Sequence, residues 1–143
     1  MACFLARTTS SFSPQSNAEL KSAVDACLIQ SPQGDCSDGP HGPIGEWDVS
    51  RVTDMSRLFF RAKSFNGDIS KWDVSRVTDM SHMFSITNLF YKRMFYSAAA
   101  FNGDLSKWDV SSVVRMAHMF ESATLFNGDL SKWDVSSVTN MHF

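Results

Sequence analysis

Hydrophobic positions in this chain fall in the same places at a nearly constant interval. Ile44, Ile69, Leu105 and Leu130 form one column, Val49, Val74, Val110 and Val135 a second, and Val52, Val77, Val113 and Val138 a third. Met55, Met80, Met116 and Met141 follow, and then Phe65, Phe101 and Phe126. The polar text between them recurs too. Trp47, Trp72, Trp108 and Trp133 stand 25, 36 and 25 residues apart, each within W-D-V-S, and "FNGDIS" or "FNGDLS" precedes the last three. Self-similarity at a period of about 20 to 29 residues marks a stack of repeats, where each unit buries its apolar face only against its neighbours.

Local pattern predicts the elements of one unit. "VTDM" is β-branched at its start and short, which suits a strand of three or four residues. "MSRLFFRAKSF" and "MAHMFESATLF" carry apolar residues at i, i+3, i+4, i+7 and i+10, the stripe of a helix. Asn-Gly follows each stripe, where glycine fits the left-handed position that ends a helix. In W-D-V-S the aspartate can accept the amide of the serine two residues on, an Asx-turn ahead of the strand. The expected fold is therefore an α/β repeat, a short leucine-rich-repeat-like solenoid of strand–helix units. Residues 1–15 read as a tail, 16–41 as a capping helix with a Pro/Gly turn, and 42–143 as about three and a half rungs. In the cap, Ser16 and Glu19 make a capping box, and Leu20, Val24, Cys27 and Leu28 share a face.

Two places break the regularity. One unit carries eleven extra residues, "SITNLFYKRMF" at 85–95. Eleven residues are close to three helical turns, so the insertion predicts a helix lengthened by about 16 Å. Leu89, Phe90, Tyr91, Met94 and Phe95 would then protrude as anchors for a protein partner. The competing expectation is a loop folded back over its own rungs. The second break is at "VTNMHF", where the text stops a third of the way through a unit. Met141 and Phe143 would face outward there, and a bare apolar end predicts association.

The text "FNGDLSKWDVSSVTNM", with its Trp-Asp and Asn-Gly-Asp, closely resembles the BspA-like leucine-rich-repeat surface proteins. It equally resembles the mycoplasma-lipoprotein repeat family of about 25 residues per unit. The cap followed by "GPIGEWDVS" looks like copies found in unicellular algae and other protists. The resemblance covers residues 42–143 and, less fully, the cap. It implies a solenoid used for adhesion or protein contact at a cell surface. No catalytic residue belongs to the motif, so none is carried over.

Composition narrows the remaining classes. A net charge of −2 gives no broad basic face for nucleic acid. Arg51, Arg57, Arg61 and Lys63 form a local basic group that reads as a solvated face. No run approaches the ~18 apolar residues of a membrane span. The first dozen residues, rich in Arg, Ser and Thr without acids, have a transit-peptide composition, which allows an organellar address. Cys27 and Cys36 bracket the Pro/Gly turn and either join or leave Cys27 as a small buried residue. His82 and His118 occupy one repeat position but lack the companions of a metal site, and no cofactor motif is present. The expectation is a non-catalytic scaffold for protein contact. The alternative is a permanent accessory subunit of a larger organellar or photosynthetic membrane complex, with an enzyme a distant third.

Overall fold

A computed structural model describes residues 10–86 and 100–142. It opens on one α-helix, α1, Asn17–Gln30. Ser16 caps it by accepting the Glu19 amide on its hydroxyl at 3.2 Å, and the Glu19 carboxylate accepts the Gln15 amide at 2.8 Å. Leu20, Ala23, Val24 and Cys27, at the spacing of one helical stripe, are buried. Leu28 packs at their margin, whereas Ile29 is exposed. A disulfide joins Cys27 to Cys36, with Cα atoms 5.4 Å apart, and so ties the end of α1 to the turn that enters the repeats.

The repeats are not strand–helix units. Among the described residues α1 is the sole α-helix, Ile44–Glu46 forms a single 3-10 turn, and the strand character is confined to isolated bridges. Each coil is instead a run of β-turns. In the first (residues 44–68) amides bond back three residues from Trp47 to Ile44, Val52 to Val49, Leu58 to Met55, Ala62 to Phe59 and Phe65 to Ala62, at 2.9 to 3.3 Å. The coils at 69–104, 105–129 and 130 onward repeat much of this.

That construction explains the misleading stripe. A β-turn brings its first and fourth residues together, so both ends point inward while the middle pair faces water. Turns placed end to end therefore set apolar residues at i, i+3, i+4 and i+7, which is also what a helix does. What forbids the helix is the backbone at Arg57, Arg61, His82, His118 and Ser122, whose φ values lie between 56° and 64°. A left-handed residue at the third position makes a type II turn and cannot continue a right-handed helix.

The glycines after the phenylalanines also act differently from the expectation. Gly67, Gly103 and Gly128 are absent from the left-handed residues. A Cβ on Gly103 would lie 2.9 Å from the Phe101 ring, and one on Gly67 would lie 2.6 Å from the Gly34 carbonyl. Glycine is needed there for close approach, not for φ.

Adjacent coils are joined in parallel register. Asp54, Asp79, Arg115 and Asn140 form a chain of bridges. Alternate amides of the first coil, at Met55, Arg57, Phe59 and Arg61, donate to carbonyls of Asp79, Ser81, Met83 and Ser85 at 2.9 to 3.0 Å. The even-numbered amides close the turns, so one segment satisfies both kinds of bond. Tryptophans lock the coils from inside. The indole N–H groups of Trp72, Trp108 and Trp133 donate to the carbonyls of Ile44, Ile69 and Leu105 in the preceding coil at 2.9, 3.2 and 3.0 Å. Asn102 and Asn127 amides likewise donate to the side chains of Asn66 and Asn102.

Two phenylalanine ladders fill the core. Phe59, Phe84 and Phe120 stack at 5.6 Å per step, and Phe65, Phe101 and Phe126 at 5.7 and 5.9 Å. Rings of the two ladders also stack within a coil, at 3.9 to 4.2 Å. The extra residues leave this register unbroken. Ile86 donates to Glu121 on one flank and Ala100 to Lys63 on the other, and Phe101 stacks on Phe65 as its homologues do.

Candidate functional site

The turn corners consume most of the polar side chains. In the second coil the amides of Ser70, Ser75 and Ser81 donate to Asp68, Asp73 and Asp79 at 3.0, 3.1 and 2.9 Å. The expected Asx-turn of W-D-V-S is thus one of three. The other two stand in the sequence as D-I-S and D-M-S with the same spacing. Serine hydrogen bonds hold the carboxyls of Asp48, Asp68, Asp104, Asp109, Asp129 and Asp134 below the usual carboxylate range. Lys71, Lys107 and Lys132 lower the Asn-Gly-Asp carboxyls further.

Asp79 is the buried carboxylate of the set. Burial pushes its pKa up, but the Ser81 amide and hydroxyl and the Arg115 guanidinium bring it below the normal value. Arg115 Nε and Nη2 both reach Asp79 Oδ2 at 2.8 Å. Arg115 occupies the bridge position of Asp54 and Asp79, so an opposite charge interrupts a ladder of like ones.

One corner gathers cations and rings. His82 and His118 stack with centroids 4.8 Å apart, and the Arg57 and Arg61 guanidiniums lie 5.9 and 5.0 Å from the Phe60 centroid. Arg57, His82 and His118 hold one left-handed turn position in successive coils. His118 Nδ1 is 3.1 Å from Glu121 Oε2, within ion-pair reach but outside hydrogen-bonding geometry; His82 Nδ1 is also buried without a hydrogen bond. Burial first, then His118 and Arg57, lower the His82 pKa. Parallel stacked imidazoles do not converge on one point, and among the described residues no group of three or more metal-ligating side chains forms. A groove of 310 Å³ between α1 and the first coil is bordered by Lys21, Asp25, Leu28, Phe60 and Lys63.

The two ends of the stack differ. At the first coil Val49, Val52 and Met55 are as buried as in the interior and belong to the same core cluster as Leu20, Val24 and Cys27 of α1. Phe12 closes the same end, stacking on His41 and meeting Trp47 edge-on. At the fourth coil the same columns surface. Val135 is 39% exposed where Val110 is 1%, and Met141 is 47% exposed where Met55 and Met80 are 0%. Phe126, Leu130, Trp133 and Val138 are half-buried around them.

Of the contact residues expected from the sequence, Met141 lies on this open face. Leu89, Phe90, Tyr91, Met94, Phe95 and Phe143 lie outside the described residues. The rim of the face was not readable from sequence, since it depends on which backbone groups are left over. In each earlier coil the bridge residue is flanked by a carbonyl that accepts from the next coil and an amide that donates to it, as Thr53 and Met55 do around Asp54. The matching pair in the fourth coil is the Thr139 carbonyl and the Met141 amide, which have no backbone partner among the described residues.

No described helix is long and apolar enough to cross a membrane. Two copies of the family "Mycoplasma protein of unknown function, DUF285" match the chain, at residues 35–92 and 86–143. The chain belongs to that family. No curated protein and no solved structure matches it.

Proposed function

We propose that this repeat protein works by binding another protein and not by catalysis. The observation that carries this is that the turn corners of successive coils consume the polar side chains, and among the described residues no group of three or more metal-ligating side chains forms. The aspartates and serines, the residues from which chemistry would be built, are engaged in turns instead. The likeness to BspA-like surface repeats supports the same reading.

Photo-crosslinking residues placed one at a time at exposed positions of the coils, Val114 and Ser112 among them, test it in the source cell. A discrete protein adduct is expected from at least one position and not from all. Equal labelling at every position, or none at any, refutes the reading.

A further inference from the structure

We infer that the strip formed by Arg57, Phe60, Arg61, His82 and His118 binds an acidic segment of a partner protein, with a carboxylate on Arg57 and an apolar side chain in the groove beside α1. This rests on the protein-binding reading above and adds the chemistry of the partner. The backbone is where it starts. Glycine fills the third position of a type II turn without strain, yet no described left-handed position in the coils holds one. Four of these five positions hold Arg57, Arg61, His82 and His118. All four meet in one place. The two guanidiniums lie 5.9 and 5.0 Å from the Phe60 centroid, Phe60 meets the His82 ring edge-on at 6.4 Å, and His82 stacks on His118 at 4.8 Å. A strained position kept for a long polar side chain points to a use for that side chain.

The strip offers donors to an outside oxygen. Arg57 is exposed and forms no ion pair among the described residues, so its guanidinium can hold a carboxylate through two parallel N–H bonds. His82 is neutral near pH 7, because burial lowers its pKa. Its buried Nδ1 has no hydrogen bond, and a proton there would lack an acceptor. The proton therefore sits on Nε2, the nitrogen that can donate outward. The nearest acids are engaged elsewhere: Glu121 lies 3.1 Å from His118 Nδ1, and Asp79 lies 2.8 Å from Arg115. Beside Phe60 runs the groove of 310 Å³, whose Leu28, Leu58 and Ala62 make an apolar wall, with the Lys21–Asp25 pair at its border. A cation next to an apolar groove fits a peptide that carries both kinds of side chain. Nucleic acid would ask for cations along the whole stack, and the strip has arginine in its first coil alone.

Photo-crosslinking in the source cell from Ser64, an exposed residue bordering the groove, tests the strip. The expected adduct is a protein whose crosslinked peptide, read by mass spectrometry, holds more Asp and Glu than Lys and Arg. Arg57→Gly should cut the adduct about tenfold, as loss of a charge-assisted contact does. Arg57→Lys keeps the charge without the planar fork and should fall between the two. Glycine relieves the left-handed backbone, so Arg57→Gly should keep or raise the urea midpoint of the purified chain. A lower midpoint makes the arginine a structural residue and overturns the inference. An adduct that survives Arg57→Gly, a crosslinked peptide that is not acidic, or an adduct removed by nuclease does the same. Adducts from Val114 or Ser112 with none from Ser64 overturn the strip and leave the protein-binding reading standing. No adduct from any position overturns both.

Discussion

Ser122→Gly distinguishes a turn-built coil from a helical one by the sign of its effect. Ser122 lies in the third coil at φ 62°, is exposed, and makes no side-chain hydrogen bond among the described residues. An L-residue in the left-handed region costs about 1–2 kcal/mol, and glycine removes that cost. Against this, glycine's greater freedom in the unfolded chain costs about 0.5–1 kcal/mol. The net expectation is a stabilisation of roughly 0.5–1 kcal/mol. Were residues 116–126 a helix, serine to glycine would instead lose about 0.5 kcal/mol, and serine to alanine would gain a similar amount. In the turn, alanine meets the same backbone cost as serine and gains nothing.

Urea unfolding reads the difference. With a slope of about 2 kcal/mol/M, Ser122→Gly should raise the midpoint by roughly 0.3–0.5 M with the slope unchanged. Ser122→Ala should leave it within about 0.1 M of the parent. A lower midpoint for glycine together with a higher one for alanine would refute the left-handed turn and restore the helix. Ser122 is a better site for this than Arg61 or His82, whose side chains lie over Phe60 or stack on His118.

Three other outcomes follow from the contacts between coils. Trp108→Phe should cost about 1–3 kcal/mol in urea melts, because it leaves the buried Ile69 carbonyl without a donor; Trp133→Phe, whose bond is only part-buried, should cost less. Reducing the Cys27–Cys36 disulfide, nine residues apart in sequence, should lower stability by roughly 2.5 kcal/mol on the chain-entropy account, seen as a lower midpoint with reductant present. Acid should weaken the fold in two stages. His82 has a folded pKa below its unfolded value of 6.5, so its contribution is complete above pH 6.5 and is lost as pH falls through the folded pKa. The lowered aspartates behave likewise below pH 3.8. His82→Asn, which tolerates the left-handed backbone, should abolish the first stage and keep the second. A single stage in the parent would count against the buried corner.

The period, the apolar columns and the cap were legible because they depend only on which residues recur. The turns were not, for a specific reason. Met55, Leu58, Phe59, Ala62 and Phe65 have helical spacing whether the chain is a helix or a string of type II turns. The usual signal for the latter, glycine at the left-handed position, is replaced here by arginine, histidine and serine. Glycine was present, but beside the phenylalanine rings, where it answers a steric demand instead. The Asp-x-Ser spacings, three in each of the first two coils and two in the third, were visible and could have exposed the run of corners, since a helix has no use for recurring Asx-turns. On the exposed face of the fourth coil, Met141 was legible as the next member of the methionine column. The donor and acceptor flanking Asn140 were not, because only the pairing between coils shows which groups remain.

A coil that closes its own turns also accounts for the tolerance of the insertion. The i to i−3 bonds hold each corner without help from distant sequence, and the bonds between coils fix only the segments on either side. On either side of the insertion Ile86 still donates to Glu121 and Ala100 to Lys63, so neither set is disturbed among the described residues.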